Sequence, residues 1–242
     1  MTTAKKDDLR FAPSQWDKAY DVVVLGAGAA GLTAALVSVL EKKRTLLIEK
    51  SDQIGGTSAF SSGTVWIPDN SYQRRNGIVG DAEAAKAYLD ALVGDSSERA
   101  LREAFVSAGQ EMLQYLEDHI DLRWQMYEIQ PDYAPELPGA TIGGRALMPL
   151  PFDGRQLGED FHKVRWPIRE LMLFGRMMIT RAEAARLLRI GRNLDSFLLG
   201  TKLLCRFVSD RVQYKRGTRL VLGNALVARL FKHLRKHFVT IW

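Results

Sequence analysis

The stretch Val22-Val23-Val24-Leu25-Gly26-Ala27-Gly28-Ala29-Ala30-Gly31 decides the fold of this 242-residue chain. The apolar run from Tyr20 to Leu25 is rich in valine and predicts a buried parallel strand. Residues 29–42 predict a helix of alanine, leucine and valine, and residues 45–49 predict a second buried strand. Strand, glycine turn, helix and strand in this order make a β-α-β unit of about 30 residues.

The glycines of residues 26–31 fit the spacing G-x-G-x-x-G of a dinucleotide-binding turn. Gly26 permits the tight turn, Gly28 lets the backbone approach a pyrophosphate, and Gly31 lets the helix pack close to the sheet. The helix N-terminus is expected to offer free N–H groups to the phosphates. Glu49, at the end of the second strand, suits a ribose diol and would repel a 2′-phosphate, which disfavours NADP.

The loop from Ile54 to Gly63 indicates that the dinucleotide is FAD. It offers glycines for close backbone approach and four hydroxyls, which an extended FAD needs and an NAD domain does not. On composition alone, a generic flexible Ser/Gly loop is the alternative. The predicted cofactor-binding residues are Gly26, Ala27, Gly28, Ala29, Ala30, Gly31, Glu49, Lys50, Gly55, Gly56, Thr57, Ser58, Ser61, Ser62 and Gly63.

The fold class predicted from these patterns is α/β: a Rossmann-like FAD-binding domain with a parallel sheet, incomplete in this chain, plus a helical excursion. Residues 1–18 are expected to form an N-terminal arm. Residues 19–242 are expected to form one portion of the FAD-binding domain, without a substrate domain. Further helices are predicted for residues 81–93, 97–119, 181–190 and 224–236, a basic turn for 211–218 and a strand for 238–242.

The net charge of +6 is unevenly distributed, because residues 1–135 are acidic overall and residues 136–242 are strongly basic. A basic half suits nucleic acid, anionic lipid, an acidic substrate or an acidic segment outside this chain. No nucleic-acid motif accompanies the charge, so we expect no nucleic-acid partner. For the arginine-rich stretch Arg181–Arg192 we expect ordinary amphipathic packing rather than peripheral contact with a membrane surface.

Cysteine and histidine usage argues against disulfides and metal sites. The single cysteine, Cys205, excludes an intrachain disulfide and favours a reducing, cytoplasmic location. Its apolar neighbours predict a buried, inert thiol. His233 and His237 lack a third ligand nearby, so we expect surface histidines and no metal. The first 18 residues lack an apolar leader, and the uncharged stretch 22–40 fits a strand, turn and helix better than a membrane span.

Several motifs together resemble a known family. Gly55-Gly56-Thr57-Ser58, followed by Ser61-Ser62-Gly63-Thr64-Val65-Trp66-Ile67-Pro68, is similar to the flavin loop of 3-oxosteroid 1-dehydrogenases and their FAD-dependent relatives in the fumarate reductase/succinate dehydrogenase flavoprotein superfamily. Ser62 stands where many members have glycine. Similar motifs cover nearly the whole chain: Pro131-Asp132-Tyr133, Gly144-Arg145, Phe152–Gly158, Arg216–Leu220 and Gly223–Leu226.

The resemblance implies oxidation of a steroid-like ketone, with a proton taken by a tyrosine, a hydride passed to the flavin, and an external electron acceptor. It places an active-site tyrosine at Tyr133 and implies that Ala134 replaces a second one. A loop aromatic that only packs is the alternative for Tyr133. Because family members are longer, the resemblance implies a fragment that lacks the remaining catalytic groups.

Three alternatives to this activity stay open from the sequence. A fumarate-reductase-like or 4-ene-reducing flavoprotein would use the same cofactor for a different reaction. A non-catalytic FAD-binding remnant would hold flavin without turnover. A product that neither folds nor binds FAD would show exposed apolar surface without a cooperative melt.

Overall fold

The computed structural model describes residues 17–242, so nearly all of the predicted arm, residues 1–18, lies outside the described residues. The strands are β1 (Val22–Leu25), β2 (Thr45–Ile48), β3 (Val65–Trp66), β4 (Trp124–Met126), β5 (Ala146–Pro149), β6 (Phe152–Asp153), β7 (Met172–Leu173), β8 (Met177–Met178), β9 (Arg219–Leu220) and β10 (Thr240–Ile241). The helices are α1 (Ala29–Leu40), α2 (Ser71–Arg75), α3 (Asp81–Val93), α4 (Arg99–His119), α5 (Arg181–Leu187), α6 (Leu194–Gln213) and α7 (Leu222–Lys236).

A parallel sheet of order β1-β2-β10 forms the base of the dinucleotide half. Val22 pairs with Thr45 on one side of β2, and Thr240 pairs with Leu46 on the other. Strand β2 is therefore central, and its apolar residues Leu46 and Leu47 are buried. The parallel sheet confirms the predicted α/β class.

Helices α1 and α7 pack against each other beside this sheet and supply much of the core. On α1, Leu32, Ala35 and Leu36 are fully buried. Helix α7 is buried along nearly its whole length, since it also contacts β5, β6 and the 3₁₀ segments Gly56–Phe60 and Gly154–Lys163. The two helices thus lock the turn after β1 to distant parts of the chain.

A second, antiparallel sheet of order β3-β5-β4 lies next to the helical excursion. Helix α4 buries Val106, Leu113 and Leu116 there. Its Gly109 faces Ile67, and a Cβ at that position would lie 2.9 Å from the Ile67 side chain. The glycine thus lets α4 approach the segment that follows β3.

The predicted helices at 81–93, 97–119, 181–190 and 224–236 are confirmed with small shifts at their ends. Helix α6 was not predicted, and it runs through the start of the basic turn expected at 211–218. Two other predictions were wrong. Cys205 is exposed rather than buried, because it lies on the outer side of α6. His233 is buried rather than at the surface, because α7 is enclosed on most sides.

Within residues 17–242, no helix has both the length and the apolar character needed to span a bilayer. The same part of the chain contains no group of three or more His, Cys, Asp or Glu side chains placed to hold a metal ion.

Candidate functional site

The turn between β1 and α1 requires glycine at its two ends. Gly26 has a φ of 94°, a conformation that residues with a side chain rarely adopt. At Gly31, a Cβ would collide with the carbonyl oxygen of Gly26 and approach the side chain of Val24. The glycine spacing therefore lets the first turn of α1 fold back over the end of β1.

Glu49 is held against this turn by backbone donors. Its Oε2 accepts a hydrogen bond of 2.7 Å from the Ala27 N–H, and its Oε1 accepts one of 3.1 Å from the Ser51 N–H. Burial opposes ionisation of the carboxyl group, but these hydrogen bonds outweigh it and lower the pKa of Glu49. A fixed carboxylate thus marks the end of β2, with Lys50 exposed beside it.

The glycine-rich loop docks directly on the dinucleotide turn. The Gly55 N–H donates to the Ala27 carbonyl oxygen at 2.9 Å, and the Ala29 N–H donates to Ser58 Oγ at 3.0 Å. The backbones of Gly28 and Gly56 face each other, since a Cβ on Gly56 would lie 3.6 Å from the Gly28 Cα. The structure therefore brings the two predicted cofactor segments together in one cradle.

One N–H group in the first turn of α1, that of Ala29, is not free, contrary to the sequence-based expectation, and the N–H of Ala27 in the preceding turn is also paired. Ala27 donates to Glu49, and Ala29 donates to Ser58. The two acceptors differ in kind, because the Ser58 hydroxyl can rotate away from Ala29, whereas the Glu49 carboxylate is also held by hydrogen bonds from Ser51. The remaining predicted residues of the loop, Thr57, Ser61 and Ser62, are exposed, and Gly63 is buried.

The start of α7 supports the loop from behind, a role that the sequence did not assign. The Gly223 N–H donates to the Ser61 carbonyl oxygen at 3.1 Å. A Cβ on Gly63 would lie 2.7 Å from the Gly223 nitrogen, and a Cβ on Gly223 would collide with the Ser58 carbonyl oxygen. Three backbone segments thus meet where no side chain fits.

Asn224 adds a buried anchor to the same loop. Its Nδ2 donates to the Ala59 carbonyl oxygen at 2.8 Å, and its Oδ1 accepts from Arg216 Nη1 at 2.9 Å. Burial lowers the pKa of Arg216 to about 10. The motif Gly223-Asn224 was the available sequence signal, but it carried no site role by itself.

A large cleft opens beside the loop, with a volume of about 890 Å³. Its wall includes Ser62, Thr64 and Trp66 from the loop and β3, Tyr133 from the segment after β4, and Leu171 and Ile179 from the opposite side. Most of the lining is apolar, and the volume lies in the range of sites for small organic ligands. Ser62 and Tyr133, both predicted site residues, therefore share one cleft.

A buried ion network lies behind Tyr133. Arg145, which is 1% exposed, donates from Nη1 to Asp132 at 2.8 Å and from Nη2 to Asp81 at 2.7 Å. Burial opposes ionisation of Asp81, but hydrogen bonds from Arg145 and Gln73 lower its pKa. The network ties the segment before Tyr133 to α3.

Trp66 joins this network from the cleft side. Its Nε1 donates to Asp132 Oδ1 at 2.7 Å, and its ring lies 5.3 Å from the Arg145 guanidinium carbon. Tyr133 itself is fully exposed. Within residues 17–242, its hydroxyl makes no hydrogen bond. The sequence motif thus places Tyr133 at the cleft without a supporting donor.

The geometry can be compared with known proteins. Residues 21–242 match the family described as "FAD binding domain". The chain is 34% identical over 223 residues to a 3-oxosteroid 1-dehydrogenase of Mycolicibacterium smegmatis. The aligned region covers 92% of this chain and 38% of the relative. It is 32% identical over 225 residues to a 4-oxocyclohex-2-ene-1-carboxylate 5-dehydrogenase of Sinomonas cyclohexanicum. That aligned region covers 93% of this chain and 38% of the relative.

A solved structure is also similar along most of the chain. The 3-ketosteroid delta1-dehydrogenase of Sterolibacterium denitrificans, in complex with 1,4-androstadiene-3,17-dione, matches with a TM-score of 0.82 and 32% identity. The match covers 92% of this chain and 40% of that one. The chain therefore spans about two fifths of the length of these relatives. Its glycine turn, acidic strand end and docked loop lie within the matched residues, and the chain belongs to the FAD binding domain family.

Proposed function

We propose that this chain is the FAD-holding part of a flavin dehydrogenase that oxidises a CH–CH bond beside the ketone of a steroid-like substrate. The proposal rests on one observation, that a single backbone segment connects the dinucleotide turn to the apolar cleft. The loop Gly55–Gly63 docks on the dinucleotide turn, and the same backbone continues into Trp66 in the wall of the apolar cleft. A cofactor extended along this loop would reach the cleft.

The chain offers separate groups for the ribose and for the pyrophosphate of FAD. Glu49 is an ionised carboxylate that would accept hydrogen bonds from the ribose diol. The cradle of Gly28 and Gly56 admits a pyrophosphate close to the backbone, and the Ser58 hydroxyl can turn from the Ala29 N–H towards a phosphate oxygen. The exposed residues Ser61 and Ser62 then line the path to the cleft. Bound FAD supplies a flavin ring that takes up a hydride.

Tyr133 is proposed as the group of this chain that touches the substrate. It lines the cleft, and the segment that carries it is fixed by the Asp132–Arg145 ion pair. A tyrosine that removes a proton needs donors that stabilise its phenolate. Within residues 17–242 the Tyr133 hydroxyl makes no hydrogen bond, so the described part of the chain supplies no such donor.

The substrate class is proposed from the cleft and from the relatives. A mostly apolar cleft of about 890 Å³ suits a fused-ring ketone. A smaller cyclic ketone is the second candidate, because one relative is named for a 4-oxocyclohex-2-ene-1-carboxylate. Such a substrate carries a carboxylate, and Arg181 at the cleft rim could pair with it.

Flavin binding is tested first. The purified chain is mixed with FAD and passed through a desalting column, and the visible spectrum of the protein fraction is recorded. We expect retained flavin absorbance in the wild type and loss in Gly31→Ala. A colourless protein fraction would refute the proposal at the cofactor level.

Turnover is tested separately under anaerobic conditions. A 3-ketosteroid is added to the FAD-loaded protein, and bleaching of the visible flavin band reports hydride transfer. A matched sample receives the cyclohexenone carboxylate, and fumarate is added to pre-reduced protein. Bleaching only by the steroid supports the proposal, whereas bound flavin that responds to none of these compounds indicates an FAD-binding part without its own activity.

Two accompanying proposals concern partners and location. The reduced flavin needs an external electron acceptor, which an artificial dye can replace in the turnover assay. We also propose a cytoplasmic location, which is supported by the single cysteine, Cys205, whose exposed thiol would be preserved in a reducing compartment. Fractionation of cells that express the protein would test the location.

A further inference from the structure

A second, smaller cavity is separate from the cleft and lies where strands β6 and β9 meet helices α6 and α7. Its volume is about 280 Å³, and its lining shares no residue with that of the cleft. We call it the arginine pocket and define it by six of its lining residues, Asp121, Phe152, Asp153, Arg206, Arg219 and Arg229. Three guanidinium groups, from α6, β9 and α7, thus border one small cavity.

Strand pairing and helix packing bring these arginines together. In the antiparallel pair of β6 and β9, Asp153 lies directly opposite Arg219. Arg206 reaches the same strand end from α6, since its Nη2 lies 2.9 Å from Asp153 Oδ1. Arg229 packs on Phe152, and its guanidinium carbon lies 5.3 Å from the ring centre. The pocket is therefore built from elements that are distant in the sequence.

Arg229 is a buried cation, only 5% exposed, and it forms no ion pair within residues 17–242. Its Nη1 and Nη2 donate to the carbonyl oxygens of Leu150 and Pro151 at 3.1 and 3.2 Å, which fixes the guanidinium group. Among the described residues, its Nε has no hydrogen-bond partner. Burial lowers the pKa of Arg229, and the charge of Asp121 offsets this only in part. Buried charges are normally paired, so an unpaired one points to a bound ion or water.

The neighbouring arginines add to the positive charge. The Asp153 carboxylate is shared, because it lies 2.9 Å from Arg206 and 2.7 Å from Arg155. In the described part of the chain, the Nε of Arg206 also lacks a hydrogen-bond partner. Arg219 has its own carboxylate, that of Glu183, at 2.7 Å. One carboxylate therefore serves two guanidinium groups, and together with Arg229 the pocket has an excess of positive charge.

We propose that the arginine pocket binds a small phosphate-bearing anion, either inorganic phosphate or a phosphate monoester. Guanidinium groups hold phosphate by charge-assisted hydrogen bonds, and a doubly charged tetrahedral ion accepts them from several directions at once. A carboxylate has a single charge and planar acceptors, so it suits three arginines around one cavity less well. The exposed Asp121 also lines the pocket and opposes any anion, which makes it a natural test of the proposal.

Bound phosphate would connect several parts of the structure. Arg206 belongs to α6, Arg219 to β9 and Arg229 to α7, the helix that supports the flavin loop through Gly223 and Asn224. A ligand that binds only the folded state stabilises it in proportion to the logarithm of its concentration. We therefore expect phosphate to raise the melting temperature. This effect does not depend on flavin turnover, so it can fail while the proposed function holds.

Isothermal titration calorimetry of the full 242-residue chain with inorganic phosphate tests binding directly. The titrations are run without FAD and with saturating FAD, which fills the dinucleotide cradle, at one ionic strength set with sodium chloride. We expect phosphate to bind in both cases, and acetate to bind at least about tenfold more weakly. In a second series, glycerol 3-phosphate replaces phosphate. Equal or tighter binding assigns the pocket to monoesters, and weaker binding assigns it to the free ion.

Substitutions locate the bound phosphate. Arg206→Met and Arg229→Met should each weaken phosphate binding at least about tenfold. Arg99→Met is the matched control, since it removes the same charge from an exposed side chain on α4 outside the pocket, and its affinity should change less than about twofold. Asp121→Asn removes the opposing carboxylate and should tighten binding about threefold. A gain in affinity does not arise from misfolding, so this variant decides the question even where an arginine variant is unstable.

Four outcomes would overturn the proposal. The first is a folded wild type that binds no phosphate, and the second is equal affinity for acetate. The third is unchanged affinity in Asp121→Asn, or a loss in Arg99→Met as large as in the two pocket variants, which would indicate attraction by net charge alone. The fourth is displacement of phosphate by FAD together with full binding in Arg206→Met and Arg229→Met, which would place the phosphate in the dinucleotide cradle.

Discussion

Arg145 Nη1 lies 2.8 Å from Oδ2 of Asp132, the residue that immediately precedes the exposed Tyr133. The same guanidinium binds Asp81 on α3 with two further hydrogen bonds. One buried cation thus fixes both the helical excursion and the segment at the cleft. The stability of this part of the chain and the position of Tyr133 depend on the same side chain.

Replacing Arg145 with methionine should be strongly destabilising. The substitution leaves the buried carboxylates of Asp81 and Asp132 without their cation, which typically costs about 3–5 kcal/mol. Chemical denaturation followed by circular dichroism measures the change. Arg155→Met is the matched control, since Arg155 is half-exposed and Asp153 keeps its ion pair with Arg206, so the loss should be less than about 1 kcal/mol. Equal effects of the two variants would contradict the role assigned to Arg145.

Gly31→Ala should abolish FAD retention and lower stability. The new methyl group would collide with the Gly26 carbonyl oxygen, and overpacking of this kind typically costs about 1–3 kcal/mol. FAD retention on a desalting column and the melting temperature are measured together. Gly191→Ala is the control, because a Cβ there meets no atom within 4 Å. If Gly31→Ala retained FAD as well as the control did, the close approach of α1 to Gly26 would be disproved.

Glu49→Gln should weaken both the turn and FAD binding. The neutral amide accepts the hydrogen bond from Ala27 less strongly, so we expect a loss of about 1–2 kcal/mol near neutral pH. Since the pKa of Glu49 is lowered in the folded state, its contribution is complete above the unfolded value and is lost as the pH falls through the folded value. Denaturation at several pH values tests this, and wild type and variant should converge in acid.

His233 should destabilise the folded protein in mild acid. Burial and the nearby Lys232 and Lys236 lower its pKa from 6.5 to about 4, and Asp121 opposes this only in part. The unfolded chain therefore takes up a proton below about pH 6.5 that the folded chain refuses until about pH 4. Stability should fall across this window by an amount on the order of 3 kcal/mol.

The variant His233→Leu isolates this effect. Among residues 17–242, neither ring nitrogen of His233 has a hydrogen-bond partner, so an apolar side chain of similar size should be tolerated at neutral pH. Its stability should decline less than that of the wild type between pH 6.5 and pH 4. Parallel pH profiles for the two proteins would show that His233 is accessible to protons in the folded state.

The sequence predicted those parts of the site that depend on neighbouring residues. The spacing of Gly26 and Gly31 reflects one local collision, and Glu49 follows the next strand, so both could be found without a structure. The bond from Asn224 to Ala59 joins residues 165 positions apart, and that from Arg145 to Asp81 joins residues 64 apart. Nothing in the local pattern specifies such pairings.

The two wrong predictions, that Cys205 is buried and that His233 lies at the surface, have a related cause. Apolar residues at helical spacing around Cys205 favour burial only if another element covers them, and α6 presents that side outward. His233 shows the reverse, because a basic end of a helix looks solvent-exposed until α7 is seen enclosed by its neighbours. Periodicity identifies which face of a helix is apolar, but tertiary packing decides which face is covered.

The support of the Gly55–Gly63 loop by Gly223 and Asn224 has a consequence for biosynthesis. During translation the loop leaves the ribosome long before α7 exists, so it cannot take up its docked form when it is made. Strand β10, which pairs with the other edge of β2, is translated later still. A nascent chain would therefore pass through a prolonged period with an open sheet edge, in which chaperone binding competes with misassembly.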